Sequence, residues 1–217
     1  MTDGATDWSA WHDDYADPAS PVSIRLGVVR AGIRAALDRW RAAGRTGPLT
    51  VLSACAGDGR DILGVLAEPD YRLPAEVSLL ETDPRNLARA ERACREAGLA
   101  GVRLLDRDAG FSSSYLDAAP ADLVLMCGVF GNLTDADVRQ LVDFLPALCR
   151  QGATLIWTRS RRPPDLTTTI RQWLAEAGFT ELDFAAPPGI LGSVGTARYD
   201  GEPRPLVGDR QLFRFTR

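Results

Sequence analysis

The chain has 217 residues, of which 45% are hydrophobic and 25% are charged, as in an ordinary globular protein. Its formal net charge of −4 argues against a nucleic-acid partner, because phosphate binding normally requires a basic surface. All 25 basic residues are arginine, which excludes chemistry that needs a lysine, such as a Schiff base or a phosphate-loop lysine.

The sequence carries no sign of export or membrane insertion. No apolar run approaches the roughly 20 residues that a membrane-spanning helix needs, and the first residues are acidic and polar. We therefore expect a cytoplasmic protein with no membrane contact. The four cysteines form no C-x-x-C pair and only one histidine is present, so neither a zinc site nor a disulfide framework is predicted.

The N-terminal region, residues 1–44, is predicted to form a helical cap on a single domain. Apolar residues from Leu26 to Trp40 recur at steps of three and four, which predicts a helix with one apolar face. Gly44, Gly47 and Pro48 end this helix.

The rest of the chain, residues 49–217, alternates between apolar strands and amphipathic helices. This alternation predicts an α/β fold, with a doubly wound, mostly parallel seven-stranded sheet and helices on both faces. Ligands of such sheets bind at the carboxyl ends of the strands. The predicted strands are 49–54, 77–80, 102–105, 122–126, 153–157, 182–184 and 211–215, and the predicted helices are 84–97, 135–145, 166–177 and one that starts near residue 61.

The turns after the first two strands contain the residue types of a nucleoside-binding site. Gly57 and Gly59 let the backbone bend sharply and approach a ligand at the start of a helix. Glu81 ends the second strand about 20 residues later, where a carboxylate can hold a ribose diol. Asp83, just before Pro84, is predicted to cap the next helix instead.

Two further strand ends carry candidate binding residues. The third strand leads into Asp108 and Ala109, and the fourth into Cys127 and Gly128. Small residues at such positions, and the amide of Asn132 in the fourth turn, suit the floor of a cleft, although ordinary surface loops have the same composition.

Taken in order, these strand ends resemble those of the class I S-adenosylmethionine-dependent methyltransferases. The resemblance covers about residues 49–184 and implies S-adenosylmethionine as cofactor and methyl transfer to a small-molecule acceptor. It rests on the segments LTVLSACAGDGRDIL, VSLLETDPRNLARA, VRLLDRDAG, ADLVLMCGVFGNL and GATLIWTR. By position it implies that Gly57 and Gly59 lie beside the methionine part, Glu81 at the ribose, Asp108 and Ala109 at the adenine, and Cys127 and Gly128 at the sulfonium and acceptor.

The sequence departs from that family at two positions. Ser53 stands where the family usually has an acidic residue, and Cys55 where it usually has the first glycine. Asp58 and Asp61 are nearby carboxylates that can supply the missing charge.

The resemblance also implies a lid over the cofactor cleft. Trp8, Trp11 and Tyr15 share one face of a short predicted helix, which either packs on the domain or covers the cleft. His12 and Tyr15 are then the candidate catalytic residues, since the ordinary pKa of histidine lies near neutrality. Arg25 and Tyr15 are candidates for binding the cofactor's carboxylate.

Two other functions stay open at this point. An NAD-dependent dehydrogenase has the same strand pattern, but its third glycine is replaced here by Ile62. A protein that binds S-adenosylmethionine without transferring its methyl group is the stronger alternative.

The stretch from Pro187 to Asp209 is predicted to be a loop that borders the acceptor pocket, with Tyr199 as the main contact.

Overall fold

The computed structural model of the chain describes residues 15–216. Within that range strands and helices alternate largely as the sequence predicts. The helices are α1 (Pro21–Ala42), α2 (Ile62–Leu66), α3 (Pro84–Ala97), α4 (Asp135–Phe144) and α5 (Thr167–Glu176), and the strands are β1 (Leu49–Ala54), β2 (Ala75–Glu81), β3 (Val102–Asp106), β4 (Ala121–Met126), β5 (Cys149–Ser160), β6 (Phe179–Ala185) and β7 (Gly192–Tyr199).

The strands form one seven-stranded sheet in the order β3-β2-β1-β4-β5-β7-β6. Strands β1 to β5 are parallel, and β7 lies antiparallel between β5 and β6. The predicted doubly wound, mostly parallel fold is therefore confirmed. The strand order reverses between β1 and β4, and a crevice forms at the carboxyl ends of strands at such a reversal.

Each face of the sheet has its own apolar core, because side chains of a strand alternate between the two faces. In β4, Leu123 and Leu125 pack with α1, α2 and α3, whereas Val124 and Met126 pack with α4 and α5. Helix α1 begins at Pro21, where the Ser20 side chain accepts the N–H of Ser23 at 3.2 Å. None of the helices in residues 15–216 has the length and apolar character needed to cross a membrane.

The prediction of a last strand at residues 211–215 is wrong. The seventh strand is Gly192–Tyr199, within the stretch that was predicted to be a loop, and Gln211 forms only an isolated bridge with Phe111. Glycines at positions 192 and 195 suggested a break in secondary structure. In the fold, a Cβ atom on Gly195 would lie 2.2 Å from the Trp157 ring, so this glycine allows a close packing contact inside the sheet.

The predicted role of Tyr199 at the acceptor pocket is also wrong. Tyr199 ends β7 and pairs with Phe179, at the edge of the sheet opposite the carboxyl ends of the parallel strands. Its side chain is buried, its ring lies 4.9 Å from that of Phe179, and its hydroxyl donates to the carbonyl of Glu202 at 2.6 Å. Tyr199 is a core residue.

Candidate functional site

A cavity of about 410 Å³ opens at the carboxyl ends of β1, β2 and β4, where the strand order reverses. It is lined by the turns that follow β1 to β4, by helix α1 and by residues near both ends of the described chain. Its lining residues are Tyr15, Arg25, Leu26, Val29, Ser53, Cys55, Ala56, Gly57, Asp58, Arg60, Asp61, Leu80, Glu81, Thr82, Asp83, Asn86, Arg107, Asp108, Ala109, Cys127, Gly128, Asn132 and Phe215.

The turn after β1 contains two glycines in the left-handed region, for different reasons. Gly57 has φ of 59° and no atom within 4 Å of where a Cβ would lie, and it lines the cavity. Gly59 has φ of 67°, and a Cβ there would lie 2.7 Å from Leu79. Gly57 thus keeps the backbone open to a ligand, whereas Gly59 packs the turn against the sheet and is not among the lining residues.

Glu81 joins the turns that follow β1 and β2. Its Oε2 atom accepts the N–H of Gly57 at 2.7 Å, and its Oε1 atom accepts those of Thr82 and Asp83 at 2.9 and 2.8 Å. Asp83 caps α3 as predicted, since its side chain accepts the N–H of Arg85 at 2.8 Å. The Glu81 carboxylate is therefore held in place at the cavity by three backbone donors.

The turn after β3 brings Asp108 and Ala109 to the cavity. The Asp108 side chain accepts the N–H of Gly110 at 2.8 Å, and its carbonyl accepts the Ser114 hydroxyl at 2.6 Å. The buried Tyr115 hydroxyl donates to the Ala109 carbonyl at 2.7 Å. These hydrogen bonds fix the turn, in which the exposed Asp108 precedes the small, buried Ala109.

The turn after β4 places Cys127 and Gly128 at the floor of the cavity. Gly128 has φ of 79°, and its N–H donates to the Thr158 hydroxyl of β5 at 2.8 Å. Its carbonyl accepts the Asn132 side-chain amide at 2.7 Å. Hydrogen bonds to β5 and from Asn132 therefore fix the position of Gly128.

Carboxylates outnumber guanidinium groups around the cavity. Five acidic residues and three arginines are among its lining residues, so the site favours a ligand that carries positive charge. Asp58 pairs with Arg60 at 2.5 Å, and the Arg60 guanidinium stacks 4.0 Å from the centre of the Tyr15 ring.

Two carboxylates of this group, Asp58 and Asp61, are buried, and Asp61 is the one without an ion pair in the described part of the chain. It accepts the N–H of Ile62 at 2.7 Å. Burial raises the pKa of Asp61 above its ordinary value, and the backbone N–H groups of Ile62 and Asp61, with the charge of Arg30, only partly oppose this effect. A cationic ligand group would relieve the desolvation of this carboxylate.

The two thiols of the cavity are held in the neutral form. Burial, followed by the charges of Glu81 and Asp108, raises the pKa of the Cys55 thiol. Burial also raises the pKa of the Cys127 thiol, with a further contribution from Asp61. Since thiolates rather than thiols are nucleophiles, these cysteines act as small apolar wall residues.

The structure brings most of the sequence-predicted site residues together. Two predicted residues are not among those that line the cavity. Gly59 packs against Leu79 of the sheet, and His12 lies outside the described residues. Sequence reasoning missed Phe215, because nothing in its local pattern shows that it reaches this edge of the sheet. The predicted residues that line the cavity are Tyr15, Arg25, Gly57, Glu81, Asp108, Ala109, Cys127 and Gly128.

The order of the strands and the position of the cavity identify the fold. The chain has the fold of the class I S-adenosylmethionine-dependent methyltransferases, as the resemblance implied. No protein-family model matches the chain, and no curated protein matches its sequence significantly.

Particular solved structures share this fold over most of the chain. Magnesium protoporphyrin IX methyltransferase from Synechocystis PCC 6803, with bound S-adenosylmethionine, is 16% identical with a TM-score of 0.64, over 90% of this chain and 92% of that one. The 1,6-didemethyltoxoflavin-N1-methyltransferase from Burkholderia thailandensis, with its substrate and S-adenosylhomocysteine bound, is 20% identical with a TM-score of 0.63, over 90% and 85%. A possible exported protein from Bordetella parapertussis is 23% identical with a TM-score of 0.59, over 83% and 68%. At these identities the likeness establishes the fold.

Proposed function

We propose that this protein binds S-adenosylmethionine and transfers its methyl group to a small-molecule acceptor. The observation that carries the proposal is the meeting of four strand-end turns in one cavity, where they present Gly57, Glu81, Asp108 and Cys127. The methyltransferase fold and the excess of carboxylates around the cavity support the same conclusion, because the ligand carries two cationic groups.

Glu81 and Asp108 are assigned to the nucleoside half of the ligand. A carboxylate oxygen has two acceptor sites, and Oε2 of Glu81 receives one hydrogen bond, from Gly57. One acceptor site on Oε2 is thus available for a ribose hydroxyl. Asp108 and the backbone of Ala109 lie on the next turn, where they can bind the edge of the adenine.

Asp61 and Arg25 are assigned to the amino-acid half. Asp61 is buried, lines the cavity and forms no ion pair with another residue of the range 15–216, so the α-ammonium group of the ligand is assigned to it. In this assignment Asp61 supplies the acidic group that the family usually has at the position of Ser53. Arg25, on α1, is assigned to the α-carboxylate, for which a guanidinium has matching geometry.

The reaction makes few demands on the protein beyond positioning. When bound, S-adenosylmethionine supplies a methyl group that is already activated by its sulfonium. Cys127 and Gly128 form the floor against which the acceptor is held in line with that methyl group. Bond formation at the methyl carbon and cleavage of the carbon–sulfur bond leave S-adenosylhomocysteine, and the acceptor loses its proton if it carries one. His12 remains our proposal for the base, and Tyr15 our proposal for a second catalytic residue.

Calorimetry and an activity assay test the proposal together. We expect titration with S-adenosylmethionine to give a measurable dissociation constant and titration with NAD to give none. Incubation with S-adenosylmethionine and a panel of small phenols and amines should release S-adenosylhomocysteine with at least one acceptor. NAD binding alone would favour a dehydrogenase. Cofactor binding with no product for any acceptor favours the alternative, a protein that binds S-adenosylmethionine without methyl transfer.

The proposed base is tested separately once an acceptor is known. His12→Ala should lower turnover by about 10² or more if the acceptor is a hydroxyl, because general-base catalysis typically contributes that much. For a neutral amine acceptor the effect should be small. Full turnover of a hydroxyl acceptor in a folded His12→Ala protein would reject the assignment.

A further inference from the structure

A second cavity, of about 440 Å³, lies at the edge of the sheet opposite the candidate functional site. It is enclosed by the last turns of α1, by the amino ends of β1, β4 and β5, and by Arg198 near the end of the antiparallel strand β7. We name it the amino-edge cavity. Its volume is in the range of small-molecule binding sites, and it shares no lining residue with the candidate functional site.

The amino-edge cavity is positively charged, although the whole chain has a formal net charge of −4. Three arginines and one carboxylate, Asp122, line it. Asp122 pairs with Arg45 at 2.7 Å and also with Arg150 at 3.1 Å, so two guanidinium groups share one carboxylate. Arg198 pairs with Asp200 at 2.6 Å. The carboxylates beside the cavity are therefore already bound by arginines.

Arg39 is the third arginine of the amino-edge cavity, and its guanidinium forms no hydrogen bond or ion pair in the described part of the chain. The neighbouring Asp38 carboxylate lies 3.7 Å from Arg41 and accepts the Tyr71 hydroxyl at 3.4 Å. Burial, followed by the charge of Arg198, lowers the pKa of Arg39 below its ordinary value, and Asp38 only partly opposes this effect.

Two guanidinium groups thus face one cavity without an anion between them. The carboxyl end of α1 is the negative end of the helix dipole and compensates part of the charge of Arg39. A bound anion would compensate the rest, because guanidinium groups match the oxygens of carboxylates and phosphates in geometry as well as in charge.

The other walls of the amino-edge cavity are mainly apolar. Trp40 is partly buried and lines the cavity next to Arg39, and Ala36, Ala42 and Ala43 add small apolar surfaces. A cavity with such walls suits an organic molecule better than an inorganic ion alone, since apolar surface and a few charged groups are typical of small-molecule sites.

We propose that the amino-edge cavity is a second binding site, for a small organic anion whose carboxylate or phosphate oxygens bind Arg39 and Arg198. The apolar part of this ligand packs on Trp40. The inference does not depend on the proposed function, because the site has its own residues at the other edge of the sheet.

Four probes test the site by calorimetry at about neutral pH: 1-naphthyl phosphate, 1-naphthoate, inorganic phosphate and the uncharged 1-naphthol. We expect saturable binding of the two naphthyl anions, with the phosphate the tighter because most of it carries two negative charges. Inorganic phosphate and 1-naphthol should bind at least about 10-fold more weakly than 1-naphthyl phosphate, because each lacks half of the recognised chemistry.

Arg39→Gln should weaken the binding of 1-naphthyl phosphate about 10-fold or more, the range expected for a lost hydrogen bond to a charged group. Arg198→Gln should weaken it by a smaller factor, since Asp200 already shares that guanidinium. Arg41→Gln is the matched control. It removes the same charge from the last turn of the same helix, but Arg41 does not line the cavity, and its variant should bind like the wild type.

Melting curves of the variants confirm that each is folded, and four results would overturn the proposal. The first is a wild-type protein that binds neither naphthyl anion. The second is inorganic phosphate that binds as tightly as 1-naphthyl phosphate, which removes the organic part. The third is unchanged affinity in folded Arg39→Gln, which places the anion elsewhere. The fourth is equal weakening in Arg39→Gln and Arg41→Gln, which shows only diffuse attraction to surface charge.

Discussion

The Glu81 carboxylate accepts the backbone N–H of Gly57 at 2.7 Å, across the gap between the turns after β2 and β1. The same carboxylate is assigned here to the ribose, so it shapes the glycine turn and binds the ligand. Removing the carboxylate affects both the conformation of the glycine turn and ligand binding, so a useful variant has to change one of these and keep the other.

We expect Glu81→Gln to weaken S-adenosylmethionine binding by about 1–3 kcal/mol, the usual cost of leaving polar partners unsatisfied. Glutamine keeps one acceptor oxygen for Thr82 and Asp83, so most of the local fold should persist, whereas Glu81→Ala should also lower the melting temperature. The measurement is calorimetry beside a melting curve. Glu76→Gln, at the other end of β2 and exposed, is the matched control and should bind normally. Unchanged affinity in a folded Glu81→Gln protein would remove Glu81 from the site.

A second prediction concerns Cys55, a non-glycine residue in the left-handed region with φ of 52°. A side chain in this conformation costs roughly 1–2 kcal/mol. Cys55→Gly should therefore be more stable than Cys55→Ala by about 1 kcal/mol, although at ordinary backbone angles alanine is the more stabilising residue. Denaturant unfolding of the two variants measures the difference. A more stable alanine variant would show that the turn adopts another conformation.

Much of the fold could be predicted because its signals are local. The bounds predicted for β1 and α3 agree with the structure, since β1 is an apolar run buried on both faces and α3 has Pro84 in its first turn. The strand-end residues of the site were found for a related reason. The carboxyl ends of parallel strands meet at one edge of the sheet, so Glu81 and Asp108 had to lie near the glycine turn.

What the sequence did not reveal depends on contacts between distant residues. Gly195 lies inside β7 because the Trp157 ring packs over it, and no local pattern contains that contact. Phe215 reaches the cavity because Thr216 bonds to Asn132, 84 residues earlier in the chain. The acidic group absent at Ser53 has two candidate replacements nearby, Asp58 and Asp61, and only the ion pair between Asp58 and Arg60 shows that Asp61 is the one left without an ion pair within residues 15–216.

Asp122 should be important for stability and not for cofactor binding. Its carboxylate is 4% exposed and is bound by Arg45 at 2.7 Å, by Arg150 at 3.1 Å and by the N–H of Thr50 at 3.0 Å. It lies at the amino end of β4, away from the candidate functional site. Since the two arginines are partly exposed, Asp122→Ala should lower the free energy of unfolding by about 2–4 kcal/mol, near the lower limit for a broken buried pair.

The matched control for Asp122 is Asp143→Ala, which removes an ion pair with Arg139 from a side chain that is 51% exposed. That change should cost less than about 1 kcal/mol. Denaturant unfolding gives both values, and S-adenosylmethionine affinity should be normal in both variants. An Asp122→Ala protein as stable as the control would show that the network adds nothing.

The last prediction is a dependence of cofactor affinity on pH that originates at Asp61. Burial raises the pKa of this carboxyl above the ordinary value of 3.8, the backbone N–H groups of Ile62 and Asp61 lower it by less, and the smaller effects of Asp58 and Arg30 oppose each other. The folded protein therefore holds the proton more tightly than the unfolded chain. It follows that Asp61 costs stability increasingly as the pH rises from 3.8 through its raised pKa, and that Asp61→Asn relieves this cost at neutral pH.

Ligand binding should show the opposite preference, because the ammonium group is attracted only to the ionised carboxylate. Wild-type affinity for S-adenosylmethionine should fall as the pH is lowered from about 7 through the raised pKa of Asp61, where the proton competes with the ligand. Asp61→Asn still caps α2, since asparagine is a good N-cap residue. It should bind more weakly at neutral pH and vary less with pH, while Asp70→Asn, exposed and remote, should follow the wild type. Calorimetry over that pH range decides the matter, and an Asp61→Asn profile parallel to that of the wild type would assign the ammonium group to another residue.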